Sequence, residues 1–208
     1  MSPYDYIKKE IILGNMKPGD VFDEKSIANE LKLSRTPVRE AVLRLNQEGY
    51  LTIIPRKGTI VSNISITDIK EVYDFRFILE PIICEKACSK MSSSLLMKWK
   101  EYLLNIINDN LDKLVIPVEV SGIDDIDKEF HKSIADSLNN KYISEEINLL
   151  MEKSTRIRYL SSINSEERYK ASLYEHILII DSLLAKDEKK AKEMMTNHLN
   201  KTLEGYRI

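Results

Sequence analysis

Hydrophobic and polar positions change period several times within residues 1–62 and then settle into one helical rhythm. Ser2-Pro3 supplies a cap and a first-turn proline for a helix that runs to about Leu13 and stops at Gly14-Asn15. Lys17-Pro18-Gly19-Asp20 reads as a turn, and a short helix follows over residues 24–31. After a tight link through Lys32-Leu33-Ser34, Val38, Ala41, Val42 and Leu45 recur at i, i+3, i+4 and i+7. That stripe predicts a helix over residues 36–48 with one buried face, ended by Gly49. The period then becomes strand-like. Two β-branched runs, 51–54 and 59–62, flank Pro55-Arg56-Lys57-Gly58 and predict a hairpin with a glycine-containing turn. Ser62-Asn63-Ile64-Ser65 reads as a linker. Beyond it the pattern predicts six helices, at 66–90, 93–109, 123–138, 142–162, 166–184 and 188–206.

Composition narrows the class. Hydrophobic residues make up 43% and charged residues 31% of 208, a globular balance. No apolar run reaches the roughly 18 residues that a membrane-spanning helix needs. The start, Met1-Ser2-Pro3-Tyr4-Asp5, lacks a basic-then-apolar export pattern, so a cytoplasmic protein with no membrane partner is expected. The net charge of −2 hides an asymmetry: residues 32–57 hold 6 basic and 2 acidic side chains. A basic cluster on a mildly acidic chain points that segment toward a polyanion, although charge runs are commonly just solvated faces. Cys84 and Cys88, four apart, read either as a thiolate pair for a metal or as two small buried hydrophobes.

The predicted helix over 36–48 carries the first candidate chemistry. Arg35, Thr36, Arg39 and Arg44 lie off its apolar stripe, with two arginines and a hydroxyl at its front and Ser34 or Thr36 as its cap. Residues there on a recognition helix reach base edges in the major groove, where arginine pairs with guanine O6 and N7. Lys25 on the preceding helix is placed for phosphate. Arg56, Lys57 and Gly58 at the hairpin tip are placed for the minor groove or backbone. The plainer alternative is a small helical domain with surface arginines. The run Ser34-Arg35-Thr36-Pro37-Val38-Arg39-Glu40-Ala41, then Glu48-Gly49-Tyr50-Leu51 and Pro55-Arg56-Lys57-Gly58-Thr59, resembles the DNA-binding domain of GntR-family regulators. That resemblance spans residues 4–62 and implies that Arg35, Thr36 and Arg39 contact bases and phosphates, with Gly58 at the wing.

The second candidate chemistry is in the helical part. Asp127 and His131 lie four apart on one predicted helix and share a face. His176 and His198 each lie 11 residues from Asp187, which caps the last helix after a turn at Ala185-Lys186. An antiparallel pair of helices sets these two imidazoles at one height. If helix 123–138 packs against that pair, three imidazoles and a carboxylate converge, a donor set for zinc, nickel, iron or manganese. For each histidine taken singly, a hydrogen-bonded core residue is the better reading.

Asp68-Ile69-Lys70-Glu71-Val72-Tyr73-Asp74-Phe75-Arg76-Phe77-Ile78-Leu79-Glu80-Pro81 resembles the first helix of the FCD effector domain of the FadR subfamily. The Asp-x-x-x-His pair, Glu175-His176 and His198 match that domain's metal pattern. The resemblance implies Asp127, His131, His176 and His198 as ligands of a divalent transition metal, zinc foremost. It also implies Arg76 as a contact for an effector carboxylate; an ion pair with Glu80 is the structural alternative.

The expected protein is mainly α. A winged helix-turn-helix with a small β-hairpin wing (residues 1–64) precedes an all-α six-helix effector-binding bundle (65–208). The expected function is a homodimeric, non-enzymatic transcriptional regulator, a repressor of a double-stranded DNA operator. Its affinity for DNA would answer to a small carboxylate bound at a metal-containing cavity. A metal-responsive regulator and a metal-dependent hydrolase fused to a DNA reader are the alternatives.

Overall fold

A computed structural model of the chain describes residues 1–108, 125–161 and 166–206. It divides into two compact units, Met1–Ser65 and Ile66–Ile208.

The first unit holds α1 (Pro3–Ile12), β1 (Val21–Phe22), α2 (Glu24–Glu30), α3 (Arg35–Gln47), β2 (Leu51–Ile54) and β3 (Gly58–Val61). Ser2 caps α1 by accepting the Asp5 amide at 3.2 Å, with Pro3 in the first turn. Ile7, Ile11 and Ile12 of α1 and Val38, Ala41, Val42 and Leu45 of α3 are all buried in its core. A polar clasp adds to the α1–α3 packing. Tyr4 donates to both Glu48 oxygens, at 2.7 and 2.9 Å, Lys8 approaches the same carboxylate at 3.2 Å, and the Arg44 guanidinium lies 3.8 Å over the Tyr4 ring. Ser34 takes the N-cap position of α3 with no side-chain cap bond.

The sheet is antiparallel, in the order β1-β3-β2. Sequence periodicity predicted β2 and β3 but missed β1, because two residues cannot display an alternation. β1 is detected only by its pairing, Val21 with Ile60 and Phe22 with Thr59. The hairpin turn puts Pro55 second and Arg56 third, with the Lys57 amide donating to the Ile54 carbonyl at 3.0 Å. Arg56 has φ +64° and Gly58 φ +111°. Glycine is suited to that region; an arginine there is strained.

The second unit holds α4 (Ile66–Ala87), α5 (Ser93–Ile107), α6 (Ile126–Asp136), α7 (Lys141–Leu160), α8 (Glu166–Leu184) and α9 (Glu188–Gly205). The sequence placed the first of these three residues too far: α4 ends at Ala87, and Ser92 opens α5 by accepting the Leu95 amide at 3.2 Å. Residues 109, 123, 124 and 162 of the predicted spans lie outside the described residues. Within the unit α4 packs on α9, α6 and α7, α9 on α8, and α8 on α5. Trp99 at 0% exposure anchors the core, edge-on to Phe130 at 5.6 Å and Tyr102 at 5.9 Å. Such pairs contribute roughly 0.5–1.5 kcal/mol beyond area burial. Cys84 and Cys88 are core residues too. Burial pushes both thiols up, and Cys88 Sγ donates to the Cys84 carbonyl at 3.8 Å. That fits the reading of two small buried hydrophobes.

Candidate DNA-reading surface and candidate metal centre

Every residue that the sequence nominated for DNA is exposed: Lys25, Ser34, Arg35, Thr36, Arg39, Arg44, Arg56, Lys57 and Gly58. The α3 stripe faces the core, so its remaining face and its front turn are turned to solvent. Arg35, Thr36 and Arg39 all belong to the first five residues of α3. Arg44 differs from the rest. Its Nε donates to Glu48 at 3.1 Å and its guanidinium stacks on Tyr4, so it helps seat α3 on α1. The α3 N-terminus adds unpaired amides and a partial positive charge to the same front turn.

In the second unit, α6, α8 and α9 bring Asp127, His131, His176 and His198 together, with one donor atom of each inside a 4.8 Å circle. Asp127 Oδ1 lies 3.3 Å from His176 Nε2, 3.7 Å from His131 Nε2 and 4.0 Å from His198 Nε2. The three histidines are 1–2% exposed. The equal spacing about Asp187 sets the rings of His176 and His198 4.6 Å apart. Asp125 caps α6 by accepting the Asp127 and Lys128 amides at 3.1 and 3.3 Å, which orients its first turn. Arg158 Nη1 donates to Asp127 Oδ2 at 2.6 Å, leaving Oδ1 toward the imidazoles.

These groups fit a metal. Bond lengths near 2.1 Å place adjacent donors about 3.0–3.4 Å apart and opposite donors about 4.2 Å apart. His131 Nε2 and both nitrogens of His176 are buried with no hydrogen-bond partner, an arrangement that is costly unless a ligand satisfies them. Burial lowers His176 and drives His198 down to about 3, so both rings are neutral and offer lone pairs. Burial also opposes ionisation of Asp127, yet the Arg158 guanidinium holds its carboxyl well below the usual range.

Two carboxylates back the imidazoles. Glu80 Oε2 meets His131 Nδ1, and Glu175 Oε2 meets His198 Nδ1 at 2.9 Å. Burial resists ionisation of each, but Arg76 with His131 brings Glu80 to about 2, and His198 with Arg168 does the same for Glu175. Arg76 is bonded inside the unit. Its Nε donates to Glu80 at 2.5 Å and its Nη1 to Ser154 at 2.8 Å, at 1% exposure. A buried guanidinium must be paired, and Glu80 lies one turn along the same face. Among the described residues Arg76 is absent from the walls of the nearby pocket, and its Nη2 is buried without a hydrogen-bond partner.

That pocket, about 530 Å³, is walled among the described residues by Asp127, Arg158, Tyr159, Arg168, Tyr169, Ser172, His176, Thr202 and Tyr206, among others. Its volume suits a small ligand. The sequence reading missed Arg158 and Arg168, which no motif flags. It also missed Asp125, whose only signal is its position just ahead of a helical run. Glu175 was visible as the neighbour of His176, but not as a partner of His198.

Comparison with known proteins agrees with this architecture. Residues 3–61 match the model for bacterial regulatory proteins of the gntR family, and residues 71–201 match the FCD domain. The chain is 26% identical over 204 residues to the HTH-type transcriptional regulator YdhC of Bacillus subtilis (strain 168), covering 95% of this chain and 86% of that one. It is 25% identical over 207 residues to the HTH-type transcriptional repressor RspR of Escherichia coli (strain K12), covering 98% and 87%. The solved structure of E. coli McbR/YncC shares the fold, with TM-score 0.77 and 21% identity over 97% of this chain and 93% of the other. Both sequence relatives are named as transcriptional regulators, and the family matches are to the same class, a regulator rather than a hydrolase.

Proposed function

The chain belongs to the gntR family of bacterial regulatory proteins and carries an FCD domain, and from that premise we propose a repressor whose grip on its operator is set by a small carboxylate at a metal centre. The front of α3, with Arg35, Thr36 and Arg39, reads bases and phosphates in a major groove; Lys25 and the wing residues Arg56, Lys57 and Gly58 hold the backbone. A single winged helix makes few contacts. Two copies on paired half-sites multiply them, so the working form is a homodimer.

One observation carries the reading of the second unit: three buried imidazoles, two of them with nitrogens that have no hydrogen-bond partner, ring Asp127 Oδ1 beside a pocket of small-ligand size. Asp127, His131, His176 and His198 hold a divalent transition metal, zinc foremost. Bound there, the metal supplies a Lewis-acid point for an effector carboxylate. Asp127 and His176 form part of the pocket wall, so the centre is open to an effector on that side. Arg158 and Arg168 add cationic groups to the wall, and Tyr159, Tyr169, Ser172 and Thr202 offer hydroxyls. An effector shifts DNA affinity only by the difference in its affinity for the two states, so its binding and operator binding are reciprocally linked.

The test uses the full chain and a DNA site that it selects from a random-sequence pool. Small carboxylates are screened for a change in DNA affinity, with metal-loaded and chelator-stripped protein side by side. The expected result is an effector response present in the loaded protein and lost in the stripped protein and in His176→Ala. A response that survives both changes overturns the metal-centred reading.

A further inference from the structure

The three imidazoles are not held alike, and the difference lies in what stands behind each ring. His131 and His198 each turn Nδ1 to a carboxylate, Glu80 and Glu175, whereas neither nitrogen of His176 has a hydrogen-bond partner. A carboxylate only accepts, so the proton between each pair sits on Nδ1 and the Nε2 lone pair faces Asp127. Each carboxylate is in turn fixed by an arginine. Arg76 Nε holds Glu80, and Arg168 clasps Glu175 with two parallel bonds of 2.8 and 2.9 Å. The two chains then differ in where they end. Arg76 ends in the interior, with Nη1 on Ser154 and Nη2 without a partner; Arg168 lies in the pocket wall, where it also donates to Thr202 at 3.2 Å.

Resting on the metal-centred reading above, we propose that Glu80 and Glu175 are positioning residues of the centre, and that Arg168 makes the second of them answerable to the pocket. Glu80 and Glu175 set ring tautomer and orientation and make the imidazoles better donors. His176, unsupported from behind, is the ligand free to adjust. An anion in the pocket that draws hydrogen bonds from Arg168 takes them from Glu175, and so alters how His198 is held. Metal affinity and pocket occupancy are thereby coupled through one side chain.

The test titrates the metal-free full chain with Co2+, reading affinity by competition with a chromophoric chelator and ligand geometry from the visible absorption of the saturated protein. Wild type binds one ion per chain. Glu80→Gln and Glu175→Gln weaken binding about 10–100-fold and shift the saturated spectrum, as loss of such outer partners does. Arg168→Ala weakens binding less, and combined with Glu175→Gln it adds no further loss, because both substitutions cut one chain. If the carboxylates serve only the fold, the metal-free variants melt earlier while Co2+ affinity and spectrum stay those of wild type; that result overturns the proposal and leaves the metal-centred reading standing. Losses from Arg168→Ala and Glu175→Gln that simply add overturn the link to the pocket. Failure of wild type to bind Co2+ overturns both readings together. Should Glu80→Gln not fold, with Arg76 left unpaired in the interior, Glu175→Gln decides the matter alone.

Discussion

At the scale of single residues, the same side-chain type does opposite jobs according to burial. Arg35 and Arg39 are exposed at the front of α3, whereas Arg76 is sealed at 1% exposure against Glu80. Removing the first kind costs binding and removing the second costs folding. Arg35→Ala is expected to weaken binding to the selected DNA by about 1–3 kcal/mol and to relax preference at one base position. Fluorescence anisotropy on matched and single-mismatch duplexes checks this, and equal losses on every sequence would reassign Arg35 to phosphate. Both roles were partly legible beforehand. The apolar stripe of α3 assigned Arg35 and Arg39 to the outside, but nothing in the chain order distinguished an Arg76 facing a cavity from one facing Glu80.

At the scale of elements, the seat of α3 on α1 and the wing hairpin each contain a feature that propensity alone does not explain. Glu48 closes the α1–α3 clasp. Burial opposes its ionisation, but Tyr4, Lys8 and Arg44 outweigh that and hold its pKa below the usual 4.5. A carboxyl lowered in the folded state contributes stability that is full above its unfolded pKa and fades as pH drops through the folded value. The gap in thermal midpoint between wild type and Glu48→Gln is therefore expected to be widest near neutrality and to close in acid. A gap that widens in acid contradicts the assignment. At the wing tip, Arg56 occupies φ +64°, a conformation that costs a non-glycine residue on the order of 1 kcal/mol. Arg56→Gly is expected to raise or preserve the unfolding midpoint while weakening DNA binding, and improved or unchanged DNA affinity would deny the wing its contact. The hairpin was legible from β-branched runs around a turn sequence, but the strained arginine was not, since φ is set by the closure of the turn.

At the scale of the whole molecule, a chain of net charge −2 does not bind DNA by bulk attraction, so its cationic groups must act locally. The helical unit faces a different demand, since its buried donors need a partner to offset their desolvation. A ligand that binds only the folded chain stabilises it by about 2.7 kcal/mol at a free concentration 100 times its Kd. Adding zinc to stripped protein is thus expected to raise the thermal midpoint, with EDTA returning it and His176→Ala abolishing the rise. A midpoint indifferent to zinc in wild type counts against the centre. Among the described residues no helix is long and apolar enough to cross a membrane.

The order of the helices and the wing hairpin, the buried stripe of α3 and the spacing of His176 and His198 about Asp187 were all decided by local pattern. Side-chain period and cap chemistry act over a few residues and are written directly in the chain. Three things were decided only in three dimensions. β1 exists through its partner strand, Arg76 turned inward to Glu80, and Glu175 stands behind His198 with Arg168 behind Glu175. The first depends on backbone pairing with β3, and the other two on which charge finds which counter-charge once helices pack. That choice depends on distance in space rather than on separation along the chain.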